Sequence, residues 1–199
     1  MSGSVMYQQW VMRSDLVNNP NALYLFGDNV DRLGLGGQAK EMRGERNAVG
    51  VATKWEPYNS PDSFFLDKDI TKTAEIVLDD LRIPLKAVAA GIDRIIVIPT
   101  DGLGTGLSQL NKYSPTLDRF LKGFLDNFIQ IAYDLEYEAR SPSFRDGDIL
   151  NSDVWEKVFK KFKKKQIKKL ERAVLKRFEA YESYNNAGDS IAFGVKVGA

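Results

Sequence analysis

The sequence contains no cysteine and no histidine among its 199 residues. Without cysteine there is neither a disulfide framework nor a thiolate nucleophile. Without histidine the chain lacks the usual general base, the Ser-His-Asp triad and the commonest metal ligand. Any catalysis therefore has to use Asp, Glu, Asn, Lys or Tyr side chains, bound water, or a hard cation such as Mg²⁺ held by carboxylates. No other cofactor and no dedicated metal site is expected.

Long apolar runs are also absent. No stretch approaches the roughly 20 apolar residues that a transmembrane helix needs. Residues 1–13 mix polar and aromatic side chains and do not form a charged region followed by an apolar one. We therefore expect a cytoplasmic protein without a membrane partner. The formal net charge of +1 gives the chain as a whole no bias toward nucleic acid.

Charge is segregated along the chain. Residues 151–179 hold 11 Lys or Arg against 4 Asp or Glu, a local net charge of +7, whereas residues 1–150 hold 16 against 21, a net charge of −5. Between these parts, Ser, Pro, Arg, Asp and Gly replace the apolar runs. The pattern predicts a main domain over residues 1–137, a linker over residues 138–152, and a C-terminal part over residues 153–199. That last part is expected to form a basic helix and a final strand, both packed on the main domain.

Short apolar runs bounded by Gly, Pro, Asn and Asp predict the strands. They cover residues 22–26, 48–53, 94–100 and 190–197, with a weaker candidate over residues 5–12. Helical patterns lie between them. Strands that alternate with helices predict an α/β protein, and we expect a three-layer, Rossmann-like arrangement around a mixed sheet.

Apolar residues recur at helical spacing in two stretches of the main domain. The first follows a cap at Asp69 and is expected to break or kink at Pro84. The second has an apolar stripe over residues 117–132, with Ser114 as its cap and Pro115 as its first helical residue.

The basic helix, residues 153–184, has an apolar stripe of its own. The stripe steps by five residues between Phe162 and Ile167, which predicts a kink or two helices at that point. A continuous apolar face has to be buried, and the acidic main domain is the expected surface.

Two glycine-rich loops follow two of the predicted strands. The first glycine loop, residues 27–39, contains the candidate contacts Gly27, Asp28, Asn29, Gly34, Gly36, Gly37 and Gln38. The second glycine loop, residues 99–108, contains Thr100, Asp101, Gly102, Gly104, Thr105 and Gly106. Glycine lets backbone N–H groups approach a ligand where a Cβ would block it, and a helix that starts near Gln38 favours an anion. Two such loops predict a site for a phosphate-bearing, nucleotide-like ligand.

Four further side chains near strand ends have predicted roles. Asp28, Asn29 and Asp101 are the candidate catalytic groups, because open α/β sheets place ligand-contacting residues at the ends of their strands. Each is also a common turn residue. Lys54 follows the strand over residues 48–53 and can pair with a phosphate as a point charge, whereas Arg43 is expected to lie at a charged helix end.

Neither loop matches a common nucleotide-binding fingerprint. Residues 102–106 lack the G-x-G-x-x-G spacing of dinucleotide-binding proteins, and the chain has no Gly-Lys-Ser/Thr of the P-loop type.

The loops and their strands resemble the macro domain superfamily. The resemblance rests on Gly-Asp-Asn at residues 27–29, Gly-Leu-Gly-Gly-Gln-Ala at residues 34–39, Asn-Ala-Val-Gly-Val-Ala-Thr-Lys at residues 47–54, and Ile-Pro-Thr-Asp-Gly-Leu-Gly-Thr-Gly at residues 98–106. It covers roughly residues 20–132 and is closest to macro-like proteins of bacteriophages. It implies a macro-like fold and, for a phage protein, the host cytoplasm.

The resemblance also implies a ligand. Macro domains wrap the diphosphate of ADP-ribose between an early and a later glycine-rich loop, and they bind that ligand or hydrolyse it from proteins, nucleic acids or a phosphate ester. Here Gly36, Gly37 and residues 102–106 would hold the diphosphate, and Asp28 or Asp101 would activate water. Two alternatives stay open: a non-catalytic phage module that sequesters a host nucleotide signal, and a binder of nucleic acid or a host protein through the basic helix. Nucleic acid is not the expected partner.

Overall fold

The chain folds around a parallel four-stranded sheet. The computed structural model describes residues 4–90, 95–140 and 152–186. The sheet has the order β1-β4-β2-β3, formed by β1 (Ser4–Gln8), β2 (Leu23–Asn29), β3 (Ala48–Lys54) and β4 (Ile95–Pro99). The predicted α/β class is confirmed.

Every strand pair in the described part of the chain is parallel. The mixed sheet that we expected is therefore not seen there. Parallel neighbours follow from the connections, since each passes through a helix and returns the chain to the same end of the sheet. The predicted strand over residues 190–197 lies outside the described residues.

Seven α-helices are formed by the described residues. They are α1 (Arg13–Asn18), α2 (Ala39–Met42), α3 (Ile70–Ala89), α4 (Leu110–Tyr113), α5 (Pro115–Asp126), α6 (Phe128–Ala139) and α7 (Ser152–Asn186). Two short 3₁₀ helices, Pro61–Ser63 and Asp67–Asp69, lie between β3 and α3. None of the described helices is both long and apolar enough to cross a membrane.

Helices cover both faces of the sheet. Leu25, Val51 and Ile98 point to one face and share a core with α3, α5 and α6, onto which α7 packs. Tyr24 and Phe26 point to the other face, where a smaller core includes residues of α1 and α2. The alternation follows from the period of two along a strand. The result is a three-layer arrangement with a thick and a thin helical layer.

Two helix predictions for the main domain need correction. α3 runs through Pro84, so the predicted break is wrong. Proline in a helix interior costs about 3 kcal/mol, but Leu81, Leu85 and Val88 around it are fully buried, and each contributes roughly 1.5–3 kcal/mol. The apolar stripe over residues 117–132 is divided at Asn127 into α5 and α6.

The helix caps also differ from the prediction. Pro115 is the first residue of α5 as expected, but the Ser114 hydroxyl does not cap the helix. It donates to Asp67 Oδ1 at 2.8 Å, and the same oxygen accepts the Thr116 N–H at 3.1 Å. Asp67 therefore caps α5 from outside the helix. Asp69 precedes α3 and makes no side-chain cap hydrogen bond.

α7 is a single helix, so the prediction of two helices is wrong. The step in its apolar stripe falls at Phe162 and Ile167, and both residues are only partly buried against the core. The stripe can shift there without exposing a fully buried side chain. Trp155, Phe159 and Leu170 on either side are buried.

Candidate functional site

The two glycine loops form opposite walls of one cavity of about 390 Å³. They follow β2 and β4, which are neighbours in the sheet. The chain leaves β2 toward α2 on the thin layer and leaves β4 toward α4 and α5 on the thick layer. Adjacent strands whose connections diverge to opposite faces define a topological switch point, where open α/β proteins bind ligands.

The cavity collects most of the predicted site residues. Those that line it are Gly27, Asp28, Asn29, Gly34, Gly36, Gly37, Gln38, Lys54, Asp101, Gly102, Gly104, Thr105 and Gly106. Thr100 is exposed and does not line the cavity. Its N–H donates to Gln8 O at 3.0 Å and so extends the pairing of β1 and β4. Residues that the sequence did not indicate also line the cavity, among them Trp10, Arg43, Thr53 and Leu107.

A β-bulge at the end of β2 shapes the floor of the cavity. Asp28 is paired with Ala52 and Asn29 with Lys54, so Thr53 is the extra residue of the bulge. The Thr53 hydroxyl donates to the Asp28 carbonyl at 3.2 Å. Bulges of this kind occur often beside functional sites, because they redirect side chains at the end of a strand.

Asp28 is a buried anchor. Its carboxylate accepts two hydrogen bonds from the Arg43 guanidinium and one from the Asn29 N–H, and Arg32 lies 3.7 Å from its second oxygen. The side chain also covers Gly50, where an added Cβ would lie 2.4 Å from Asp28 Oδ2. Both oxygens are therefore occupied by protein groups.

Asn29 and Arg43 hold the first glycine loop. The Asn29 amide donates to Leu33 O at 2.7 Å and accepts the Leu33 N–H at 3.3 Å. Arg43 donates to Leu33 O at 3.2 Å and to Gly34 O at 2.8 Å. Because C=O and N–H point in opposite directions across a trans peptide, the N–H groups of Gly34 and Leu35 face away from Arg43.

The glycine loops carry a set of available N–H groups. Among the described residues, none accepts a hydrogen bond from the N–H groups of residues 34–38 or 104–108. Backbone donors in folded proteins are nearly always paired with protein, water or ligand. The two loops, with five successive donors each, form a surface that can bind the oxygens of an anion.

Two glycines in the loops have no room for a side chain. A Cβ added to Gly36 would lie 2.8 Å from Leu107 Cδ1 in the opposite loop. Gly104 has a φ of +85°, and a Cβ there would lie 2.9 Å from two atoms of the buried Leu110 side chain. Glycine is thus required at position 104 by the fold itself.

Gln38 has a structural partner. Its side-chain amide accepts the Val11 N–H at 3.0 Å and donates to Val11 O at 3.3 Å. This reciprocal pair joins the first glycine loop to the segment after β1. The candidate ligand contact therefore positions a neighbouring loop, although its residue also lines the cavity.

Lys54 is buried at the edge of the cavity. Its amine donates to Tyr58 O at 2.5 Å and to Asn59 Oδ1 at 3.3 Å, and it lies 4.7 Å from the centre of the Phe64 ring. Burial lowers the pKa of Lys54 from its ordinary value. The charge remains near the cavity, but the chain after β3 already uses two of its donors.

Asp101 is the carboxylate that stays accessible. It is exposed, lines the cavity, and makes no hydrogen bond or ion pair with any described residue. The turn beneath it is closed by the Gly102 N–H, which donates to Pro99 O at 2.8 Å. No group of three or more acidic residues that could hold a metal ion occurs among the described residues.

The functional contacts that sequence reasoning missed are long-range ones. Arg43, expected at a charged helix end, pairs with Asp28 because α2 folds back over the end of β2. No local pattern shows such a contact. Trp10 had a usable signal, since it follows a strand by two residues, as Asp101 does.

These features define the class of protein: a parallel three-layer α/β protein whose site lies at the topological switch point between two glycine loops. The chain belongs to the family of unknown function DUF7831, whose model matches residues 6–124. The matched segment contains both glycine loops and ends within α5, before α7 begins. No curated protein and no solved structure matches the chain.

Proposed function

We propose that this protein binds a nucleotide diphosphate of the ADP-ribose type in the cavity between its glycine loops. One observation carries the proposal: two facing loops, each with a run of N–H groups available for a ligand, form a single cavity at the switch point of the sheet. Backbone amides bind phosphate oxygens without a dedicated cation. Arg43 and Lys54 line the same walls, where the Arg43 charge is balanced by Asp28.

The macro-domain resemblance points to the same ligand. It assigns the diphosphate to Gly36, Gly37 and residues 102–106, and all of these except the buried Leu103 line the cavity. We accordingly propose a macro-like fold within the wider α/β class.

Binding is better supported than turnover. Asp28, one of the two candidates for activating water, has both carboxylate oxygens engaged by Arg43 and the Asn29 N–H. Asp101 has its carboxylate free among the described residues and is the group we assign to any hydrolysis of an ADP-ribosyl or ADP-ribose-phosphate linkage. A module that holds the nucleotide without turnover uses the same cavity.

A ligand panel tests the proposal. Purified protein is mixed with ADP-ribose, ADP, pyrophosphate or adenosine, and melting temperature and reaction products are recorded. At 100 times the dissociation constant, a diphosphate should stabilise the fold by about 2.7 kcal/mol, which is several degrees for a chain of this size. Adenosine, which lacks phosphate, should have little effect. If no diphosphate raises the melting temperature, the proposal is wrong; product formation from ADP-ribosylated substrates would identify an enzyme.

Gly106→Val provides the matching mutational test. An added Cβ at Gly106 meets no protein atom within 4 Å, so the side chain enters the open cavity without disturbing the fold. The control is Gly123→Val, which is equally unobstructed but lies on the exposed side of α5. We expect Gly106→Val to weaken diphosphate binding at least tenfold and Gly123→Val to leave it unchanged. Equal affinities would place the ligand elsewhere.

A further inference from the structure

Trp10 stands at the rim of the cavity with 52% of its surface exposed. The other two tryptophans are packed, since Trp55 is partly buried against the core and Trp155 is fully buried. Aromatic side chains stabilise a fold mainly by the large area that they bury. Trp10 leaves about half of its surface exposed, so that half contributes nothing to the stability of the fold.

The backbone around Trp10 is nevertheless fixed. The Gln8 side chain donates to Trp10 O at 3.0 Å. The next residue, Val11, is held through both its N–H and its C=O by the Gln38 amide. An exposed indole on an anchored backbone is positioned in advance, so a ligand that contacts it loses little conformational freedom.

The Gln38 side chain connects the backbone beside Trp10 to the first glycine loop. Gln38 belongs to the first glycine loop and lines the cavity, so one side chain holds the Trp10 segment beside that loop. Leu35 and Leu107 add exposed apolar surface at the same rim, with 65% and 56% exposed. The cavity thus combines polar walls with an apolar rim.

We propose that Trp10 is the platform on which the purine base of a nucleoside diphosphate stacks. The inference rests on the proposed function and specifies its ligand: phosphates on the glycine loops and a flat base on the indole. Base stacking on an aromatic side chain strengthens binding about tenfold or more. The cavity of about 390 Å³ lies within the roughly 300–1,000 Å³ typical of ligand sites.

The experiment compares affinities for pyrophosphate, ADP and UDP by calorimetry. The wild-type protein should bind ADP at least tenfold more tightly than pyrophosphate, with UDP in between. Trp10→Ala should reduce ADP affinity to within about threefold of that for pyrophosphate and leave pyrophosphate binding unchanged. Trp10→Phe should restore most of the difference. Tyr137→Ala removes an aromatic that is 83% exposed on α6, away from the cavity, and should change nothing.

The outcomes separate this inference from the proposed function. If ADP and pyrophosphate bind the wild-type protein equally well, or if Trp10→Ala preserves the preference for ADP, the base does not stack on Trp10. The proposed phosphate site is unaffected by either result. Equal affinities for UDP and ADP would overturn the preference for purines. If none of the three ligands binds, both proposals fail.

Discussion

Four charged side chains connect the cavity to the outer edge of the sheet. Arg43 pairs with Asp28, Arg32 lies between Asp28 and Asp80, and Asp80 accepts the Ala52 N–H of β3 at 2.8 Å. Burial raises the pKa of Asp80, although hydrogen bonds from Arg32 and Ala52 act in the opposite direction. Arg32 also donates to Gly50 O at 3.2 Å. The Arg32–Asp80 pair thus covers the outer edge of β3, where an unpaired strand would invite aggregation.

Arg43→Met tests the innermost pair of this chain. It leaves the Asp28 carboxylate, which is 6% exposed, without its main partner. Breaking a fully buried pair in this way costs roughly 3–5 kcal/mol; because the Arg43 side chain is 21% exposed, we expect the free energy of unfolding to fall by about 2 kcal/mol. Diphosphate affinity should fall as well, since Gly34 O loses its donor and Leu33 O keeps only the one from Asn29. Urea unfolding and calorimetry measure the two effects.

Two further variants control this experiment. Arg140→Met removes an ion pair with Glu136 whose arginine is 65% exposed, and the expected change is below about 0.5 kcal/mol. Adding Asp28→Asn to Arg43→Met removes the uncompensated charge and should recover part of the lost stability. A stable Arg43→Met protein with unchanged affinity would show that this arginine does not hold the loop.

At the scale of residues, sequence reasoning found those whose role is local. The glycine positions and strand-end carboxylates were found because loop composition and strand ends are visible in the sequence. The roles of Asp28 and Gln38 were not, because each depends on a partner 15 or 27 residues away. A carboxylate at a strand end looks the same whether it faces a substrate or an arginine.

Among the elements, the strands were predictable and two of the short helices were not. The strands over residues 22–26, 48–53 and 94–100 agree with β2, β3 and β4 within a few residues. α1 and α4 have only six and four residues, too few for a helical period to be recognised, whereas α2 begins beside Gln38 as expected. The positions of α1 and α4 depend on packing against the sheet.

α7 offers a prediction about how an added helix is held. Its apolar face includes Trp155, which is fully buried, whereas Lys163 on its side pairs with Glu75 and Asp79. Trp155→Ala should lower the free energy of unfolding by about 3–5 kcal/mol, but Lys163→Met should lower it by less than about 1 kcal/mol. Urea unfolding of both variants checks the difference. The reverse order of effects would mean that α7 is held chiefly by charge.

The ion pairs of Lys163 also make the stability of the α7 contact depend on pH. Burial alone would lower the pKa of Lys163, but hydrogen bonds and charges from Asp79 and Glu75 hold this pKa above its ordinary value. A raised pKa means that the contribution is fully present below the unfolded pKa and is lost as pH rises through the folded one. On the alkaline side, this contact should therefore weaken as the Lys163 ammonium loses its proton.

Across the whole molecule, charge segregation corresponds to a docked helix. Five ion pairs among the described residues join α7 to the rest of the chain: Arg82–Glu156, Lys161–Glu138, Lys163–Glu75, Lys163–Asp79 and Arg177–Asp67. The basic segment thus lies against a main domain of opposite charge. That neighbour lowers the positive potential which a phosphate backbone would meet.

The docked position of α7 also predicts that nucleic acids bind only weakly. Lys164, Lys165 and Lys168 are among the lysines of α7 that are exposed and form no ion pair with any described residue, so they are available to a phosphate backbone. Such contacts release counterions and weaken steeply with salt, and purely electrostatic binding has dissociation constants of roughly 10⁻⁴–10⁻⁶ M at physiological salt. We therefore expect fluorescence anisotropy with DNA or RNA oligonucleotides at about 150 mM salt to show no submicromolar binding. Submicromolar binding that disappears when all three lysines are changed to Ser would contradict this prediction and make α7 a nucleic-acid interface.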